Sequence, residues 1–445
     1  MKKQTMFFFV ILIILNSYSA PALTQADYKL DTIKADTNNI QFDMVIITPK
    51  NFYSELAPLI HHKNEFGIST YSKTTEQIYS ECNGNDKAEE IKLFIKDAVE
   101  TNKITFVLLL GDINLIPIRE TAVSWDYFGR KVVSNVITDL YYSDIYTKNY
   151  SFSTWDSNQD NIYSEIHMIM NSENEYNKSL KIIDQIDGKP DVIIGRLPCS
   201  TNREVKKVIE KIITYETKTF GTDWFHRLIL IGGDTFPHVG GISEGEFVTE
   251  SISSLLPEFS AVKLWTSLQT FNLININREI SKGAGFVSYS GHGLEYGIAT
   301  SPYNDQSQIS YYTPFILGLK NKDKYPIMYF DACLTGKLDY QIFNIDIPCF
   351  AWSMIKKQNG GAIACIAATR TGFGGFAGNP FMAGASSLHR YFFEAYEPGI
   401  LLGQMFIQAQ NSFIENIMDH VMYDPLTLQE FTLLGDPSLK IGGYT

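Results

Sequence analysis

Short runs that are apolar on both faces, separated by longer helical patterns, constrain the fold of this chain more than any other feature. Met44-Val45-Ile46-Ile47, Thr105-Phe106-Val107-Leu108-Leu109-Leu110 and Asp191-Val192-Ile193-Ile194 form a first set. Leu228-Ile229-Leu230-Ile231, Gly285-Phe286-Val287-Ser288-Tyr289, Ile327-Met328-Tyr329-Phe330 and Ala362-Ile363-Ala364-Cys365-Ile366 form a second. A strand with one face in water alternates apolar and polar residues; these runs do not, so both faces need cover. The cover is supplied at helical spacing, as with Ile91, Phe94, Ile95 and Ala98 in 88–99, and again at 204–217, 350–357 and 400–418. The expected class is α/β: two side-by-side subdomains, 42–220 and 221–445, each with a mostly parallel sheet flanked by helices.

Residues 134–189 interrupt this alternation. They are rich in Asp, Asn, Ser and Tyr and read as an acidic surface excursion, a loop length that compact domains keep for function or stiffen with metal. The charge balance, 37 − 49 = −12, and the lack of a Lys/Arg-rich stripe exclude nucleic acid as an expected partner. Five cysteines with no C-x-x-C pair make neither a disulfide scaffold nor a zinc site.

Residues 1–22 read as a signal peptide. Lys2 and Lys3 precede an apolar run at 6–15, followed by small residues from Ser17 to Ala22. That run is far shorter than the roughly 20 residues that span a bilayer. A polar connector, 23–41, follows. The expectation is a secreted, extracellular or periplasmic protein without stable membrane insertion. No cysteine follows the run, so a lipoprotein anchor is not expected.

Ligands of parallel α/β sheets gather beyond the carboxyl ends of the strands. Here those ends run into Gly232-Gly233-Asp234, Ser290-Gly291-His292-Gly293, Asp331-Ala332-Cys333 and Ala367-Ala368-Thr369-Arg370. A thiolate attacks a carbonyl, an imidazole moves the proton, and a carboxylate fixes the imidazole tautomer. His292 beside Cys333 is expected to lower the thiol pKa by favouring an ion pair. The amides of Gly293 and Cys333 are the candidate oxyanion donors. Cys199, Cys349 and Cys365 sit in apolar runs or beside them and read as core. Most histidines are surface or core fillers; His292 differs in being bracketed by glycines at a strand end.

A strand ending in His-Gly followed by one ending in Ala-Cys resembles the caspase-like cysteine peptidases. Thr138-Asp139-Leu140-Tyr141-Tyr142-Ser143-Asp144, Gly195-Arg196-Leu197-Pro198 and Leu433-Leu434-Gly435-Asp436-Pro437-Ser438-Leu439 point more specifically to the gingipain family. The resemblance runs from about Phe42 to Gly443. It implies a secreted endopeptidase acting on polypeptides, with caspase-like subdomains of which the second is catalytic. Cys333 would match the nucleophile and His292 the general acid/base. The family's third member is an acid roughly sixty residues before the His, and Asp234 lies 292 − 234 = 58 before it. The departures from the family are at the ends. Fewer than about twenty residues separate the cleavage site from the first strand, so a folded inhibitory prodomain is not expected, nor is an immunoglobulin-like or adhesin tail after Thr445.

Two further expectations concern ions and substrate. Asp156, Asn158 and Asp160, with Glu165 nearby, place oxygen ligands at every second residue, which suits Ca2+; the resemblance implies a stabilising calcium too. The loop is not an EF-hand, since its sixth position is Asn161 and its twelfth His167. Asp331, Ser290 and Arg370 are the candidate substrate-binding residues. Asp331 shares a strand face with Cys333 and would reward Arg or Lys before the scissile bond, unless Arg370 neutralises it. The competing classes are a catalytically silent caspase-like binding protein and a glycosidase using Asp144, Asp156 and Asp160. The intact Cys333/His292 pair argues against the first. The absence of a second acid placed opposite argues against the other.

Overall fold

The computed structural model describes residues 41–445 apart from 128–129, 171–177, 185, 240, 373–379, 383 and 418–423. The expected signal peptide, and all of the connector before Gln41, lie outside the described residues.

Ten strands form one sheet: β1 Met44–Thr48, β2 Thr70–Thr74, β3 Phe106–Leu110, β4 Ile193–Leu197, β5 Arg227–Gly232, β6 Ser260–Trp265, β7 Phe286–Ser290, β8 Ile327–Asp331, β9 Ala364–Ala368 and β10 Phe431–Leu434. Their order is β6-β5-β7-β8-β9-β10-β4-β3-β1-β2. Every apolar run identified above contributes residues to it. Pairing is parallel except between β9 and β10. The two expected sheets are therefore two stretches of a single one. β10 is the joint, antiparallel to β9 (Cys365 opposite Leu434) and parallel to β4 (Leu434 opposite Arg196). The junction is close-packed: a Cβ on Gly195 would come 2.5 Å from the Gly435 carbonyl oxygen. The strands not expected from sequence are β10 and the sheet edges β2 and β6. An edge strand has one side in water and so carries Tyr71, Ser72, Lys73 and Lys263 where a central strand is apolar.

Helices Lys87–Asn102, Asn202–Lys218, Phe350–Lys356 and Leu402–Asn416 occupy the expected positions. The first two start where a side chain satisfies a free amide: Asp86 accepts from Glu89 N (2.9 Å), and Thr201 from Glu204 N (3.3 Å). Ile91, Ile95, Val205, Ile209 and Ile212 are buried against the sheet, each contributing on the order of 2 kcal/mol by leaving water.

The segment expected as a loop excursion contributes strands to a second sheet. Strands Arg119–Tyr127, Arg130–Thr138, Ile166–Met170 and Lys178–Ile182 form a four-stranded sheet, so a boundary at 134 cuts the second strand. This sheet docks on the chain after β9: Thr369 Oγ1 donates to Ile137 O (2.8 Å) and Arg370 Nε to Asn135 O (2.7 Å).

The family-like motifs turn out to hold the joint together. Arg196, fully buried, makes a two-pronged pair with Asp139 (2.7 Å twice) and donates to the carbonyls of Gly111, Ile116 and Pro117. Asp436, just after β10, takes the buried ammonium of Lys63 (2.7 Å), which also reaches Glu216 (2.9 Å). Burial works against that ammonium, but the two carboxylates more than offset it and hold its pKa above the ordinary value.

Candidate active site

Parallel register places Ser290 opposite Asp331 at the carboxyl ends of β7 and β8, with β5 on the far side of β7. After β7 the chain enters a three-stranded meander, His292–Leu294, Gly297–Thr300 and Ile309–Tyr312. After β8 it turns through Cys333. These two departures share one open cleft of ≈ 500 Å³, solvent at its mouth included, lined by Ser290, His292, Asp331 and Cys333 among others. Gly293 is what lets them meet: a Cβ there would lie 2.0 Å from the Cys333 carbonyl oxygen. Its role is to allow close approach of the two chain segments. Leu334, the residue after the thiol, is held at φ 58°, a left-handed conformation costly for a leucine and tied by Leu334 N to Arg370 O (2.9 Å).

Cys333 is half-buried, and its Sγ contacts the Gly372 carbonyl at 3.5 Å. Burial, with the negative fields of Glu430 and Asp331, pushes its thiol above the ordinary value. That direction is opposite to the lowering expected from a neighbouring His292. Among the described residues the Cys333 amide donates to no backbone carbonyl. Alkylation should reflect this environment. With no substrate bound, iodoacetamide modification of Cys333 should be slow at neutral pH and accelerate above the usual thiol range, because only the thiolate reacts. Cys199, Cys349 and Cys365, all buried, should stay unmodified in the folded protein. A rate for Cys333 already maximal at pH 7 would show a preformed ion pair.

The His292 ring lies edge-on to Phe236, 5.8 Å between centroids, and forms no hydrogen bond among the described residues. Asp234 is not joined to it. Its Oδ2 accepts the Asn304 amide (2.8 Å), its backbone pairs both ways with Ser301, and its Oδ1 is buried without a partner. The carboxyl that does line the cleft on that side is Glu244, the first residue of helix Glu244–Leu255, with Oε2 accepting from Thr235 N (3.1 Å) and Phe236 N (3.4 Å). Burial raises its pKa above the ordinary carboxyl value. Nothing in its local sequence marks it; the Gly245 amide on the Gly233 carbonyl (2.9 Å) helps seat that helix start beyond the end of β5.

Of the candidate substrate residues, Ser290 and Asp331 line the cleft, with Ser290 Oγ donating to Asp331 Oδ2 at 2.8 Å. Arg370 does not. Its guanidinium makes a two-pronged pair with Asp339 (2.8 and 2.6 Å), so it leaves Asp331 unneutralised. Ser386, from helix Gly384–Glu394, is a cleft residue that the sequence did not signal.

The acidic loop closes on itself. Asp156 accepts from the amides of Asp160 and Asn161, Asn158 Oδ1 from Asp160 N, and Asp160 Oδ1 from Ile162 N. Glu165 is buried apart from them, its amide on Asp184 Oδ2 (2.9 Å). Among the described residues no group of three or more His, Cys, Asp or Glu is placed to hold a metal ion.

A family profile described as peptidase family C25 matches residues 37–442. Gingipain R2 of Porphyromonas gingivalis is 24% identical over 335 residues, 73% of this chain and 36% of its own length. Lys-gingipain of the same organism is 24% identical over 208 residues, 44% of this chain and 11% of its own. The chain thus spans about a third, 36%, of the length of the gingipain R2 relative. The crystal structure of the Arg-specific cysteine proteinase gingipain R shares the fold, with a TM-score of 0.63 at 21% identity over 90% of this chain and 78% of that one.

Proposed function

Because the chain belongs to peptidase family C25, we propose that it is an exported cysteine endopeptidase that cleaves polypeptides after basic residues. The observation that supports this best is the single cleft shared by Cys333 and His292. In this reading His292 takes the Cys333 proton as sulfur attacks the scissile carbonyl and returns it to the leaving amine. The Cys333 and Gly293 amides receive the oxyanion. A water then hydrolyses the acyl-enzyme. Asp234, without a bond to His292, acts on it at most through the field of its unpartnered oxygen. Asp331 and Glu244, carboxyls in the same cleft, support a basic side chain before the scissile bond. Export rests on the amino-terminal signal pattern; among the described residues no helix is long and apolar enough to cross a membrane.

The test is to incubate the full chain with an unfolded protein such as casein and map the cuts by mass spectrometry. Cuts after Arg or Lys that vanish on thiol alkylation support the reading. Silence with and without reductant removes it. Calcium at Asp156, Asn158, Asp160 and Glu165 is a separate proposal. A melting temperature that falls in EDTA and recovers in millimolar calcium supports an ion there, and an unchanged one removes it.

A further inference from the structure

Asp331 is held in a way that bears on which basic side chain enters. Ser288 and Ser290 share one face of β7, Tyr329 and Asp331 the matching face of β8, and the register sets Ser288 opposite Tyr329 and Ser290 opposite Asp331. Helix Gly384–Glu394 covers that face and brings Ser386 and His389 down onto it. Ser290 Oγ and Ser386 Oγ each donate to Asp331 Oδ2 at 2.8 Å. His389, fully buried, stacks on Tyr329 (4.3 Å between centroids), shares a hydrogen bond between Nε2 and Ser288 Oγ (3.0 Å), and turns Nδ1 towards the same Oδ2 at 3.7 Å.

Two hydroxyl donors fill the acceptor sites of Oδ2. Asp331 Oδ1 accepts no hydrogen bond among the described residues. A guanidinium binds a carboxylate best through two parallel N–H···O bonds, one to each oxygen, and here one oxygen is taken. An ammonium is a point charge with three rotatable donors and needs only single oxygens. Glu244 offers the cleft the same kind of acceptor, since its Oε2 is already on the Thr235 and Phe236 amides. The geometry points to a locked pocket acid: Ser290, Ser386 and His389 fix Asp331 so that the site selects lysine over arginine before the scissile bond. This rests on the peptidase reading and narrows its substrate class. In it Ser386 and His389 are positioning residues, acting on substrate through Asp331.

Matched peptide amides differing only in Lys or Arg before the cut, assayed with the full chain, test it. The wild type should favour Lys by about tenfold or more in kcat/KM, the value of one charge-assisted hydrogen bond. Ser386→Ala, which frees one acceptor site on Oδ2, should move the Lys-to-Arg ratio several-fold towards Arg, mainly through KM. Ser290→Ala should move it the same way and serves if the first variant folds poorly. A wild-type preference for Arg, or variants that lower both rates while keeping the ratio, overturns the lock and leaves the peptidase reading intact. Cleavage only after neutral residues overturns the basic-residue reading and the lock together.

Discussion

Cys333→Ala should lower kcat/KM for peptide hydrolysis by about a thousandfold or more, while the melting temperature stays near the wild-type value. Removing a covalent nucleophile leaves only the catalysis that binding and oxyanion donors give, which is the scale seen when one member of a catalytic set is lost. The fold should not notice. Cys333 is not part of the fully buried core, and its Sγ contact with the Gly372 carbonyl, at 3.5 Å, is weak. Such a truncation away from the core costs about 0.5 kcal/mol or less. Activity surviving in the variant would move the nucleophile elsewhere. A collapse in melting temperature would make the loss uninformative about chemistry, and His292→Ala, on the cleft rim, then decides between the two.

Arg196→Met should destabilise the protein by about 3–5 kcal/mol, because it leaves Asp139 charged, buried and unpaired. Three carbonyl groups, of Gly111, Ile116 and Pro117, lose their donor in the same step. Against a total stability of about 5–15 kcal/mol, that is a large share. The urea midpoint should fall sharply, and the loss should extend to both stretches of the sheet, since Arg196 sits on β4 opposite the joint strand β10. Arg196→Met/Asp139→Leu should recover part of it, because removing both charges removes the desolvation cost of the remaining one. A single variant as stable as the wild type would mean that Asp139 finds another partner, and the motif would lose its structural explanation.

The central strands were legible because a strand covered on both faces has to be apolar throughout, and β1, β3, β4, β5, β7, β8 and β9 all announce themselves that way. Cys333 and His292 were legible for a related reason: polar, nucleophilic or imidazole residues directly after such runs fall on the rim where strands end. The edges β2 and β6 were not, since water takes the place of a neighbour and permits polar residues. Nor was β10, a four-residue run whose direction depends on what lies beside it. The strands that fall within 134–189 were read as part of a loop because short runs rich in polar residues carry little hydrophobic signal.

What the amino-acid order determined by itself was the α/β class, the seven central strands and the two strand ends that meet in the cleft, because burial and strand polarity act locally. What only the tertiary structure decided was who partners whom. Asp234 took a backbone amide instead of His292, Arg370 took Asp339 instead of Asp331, and Glu244, Ser386 and His389 entered the site from helices whose sequences name no function. Charge pairing is set by distances of a few ångströms between segments far apart in the chain. Only packing of the complete sheet and its covering helices fixes those distances.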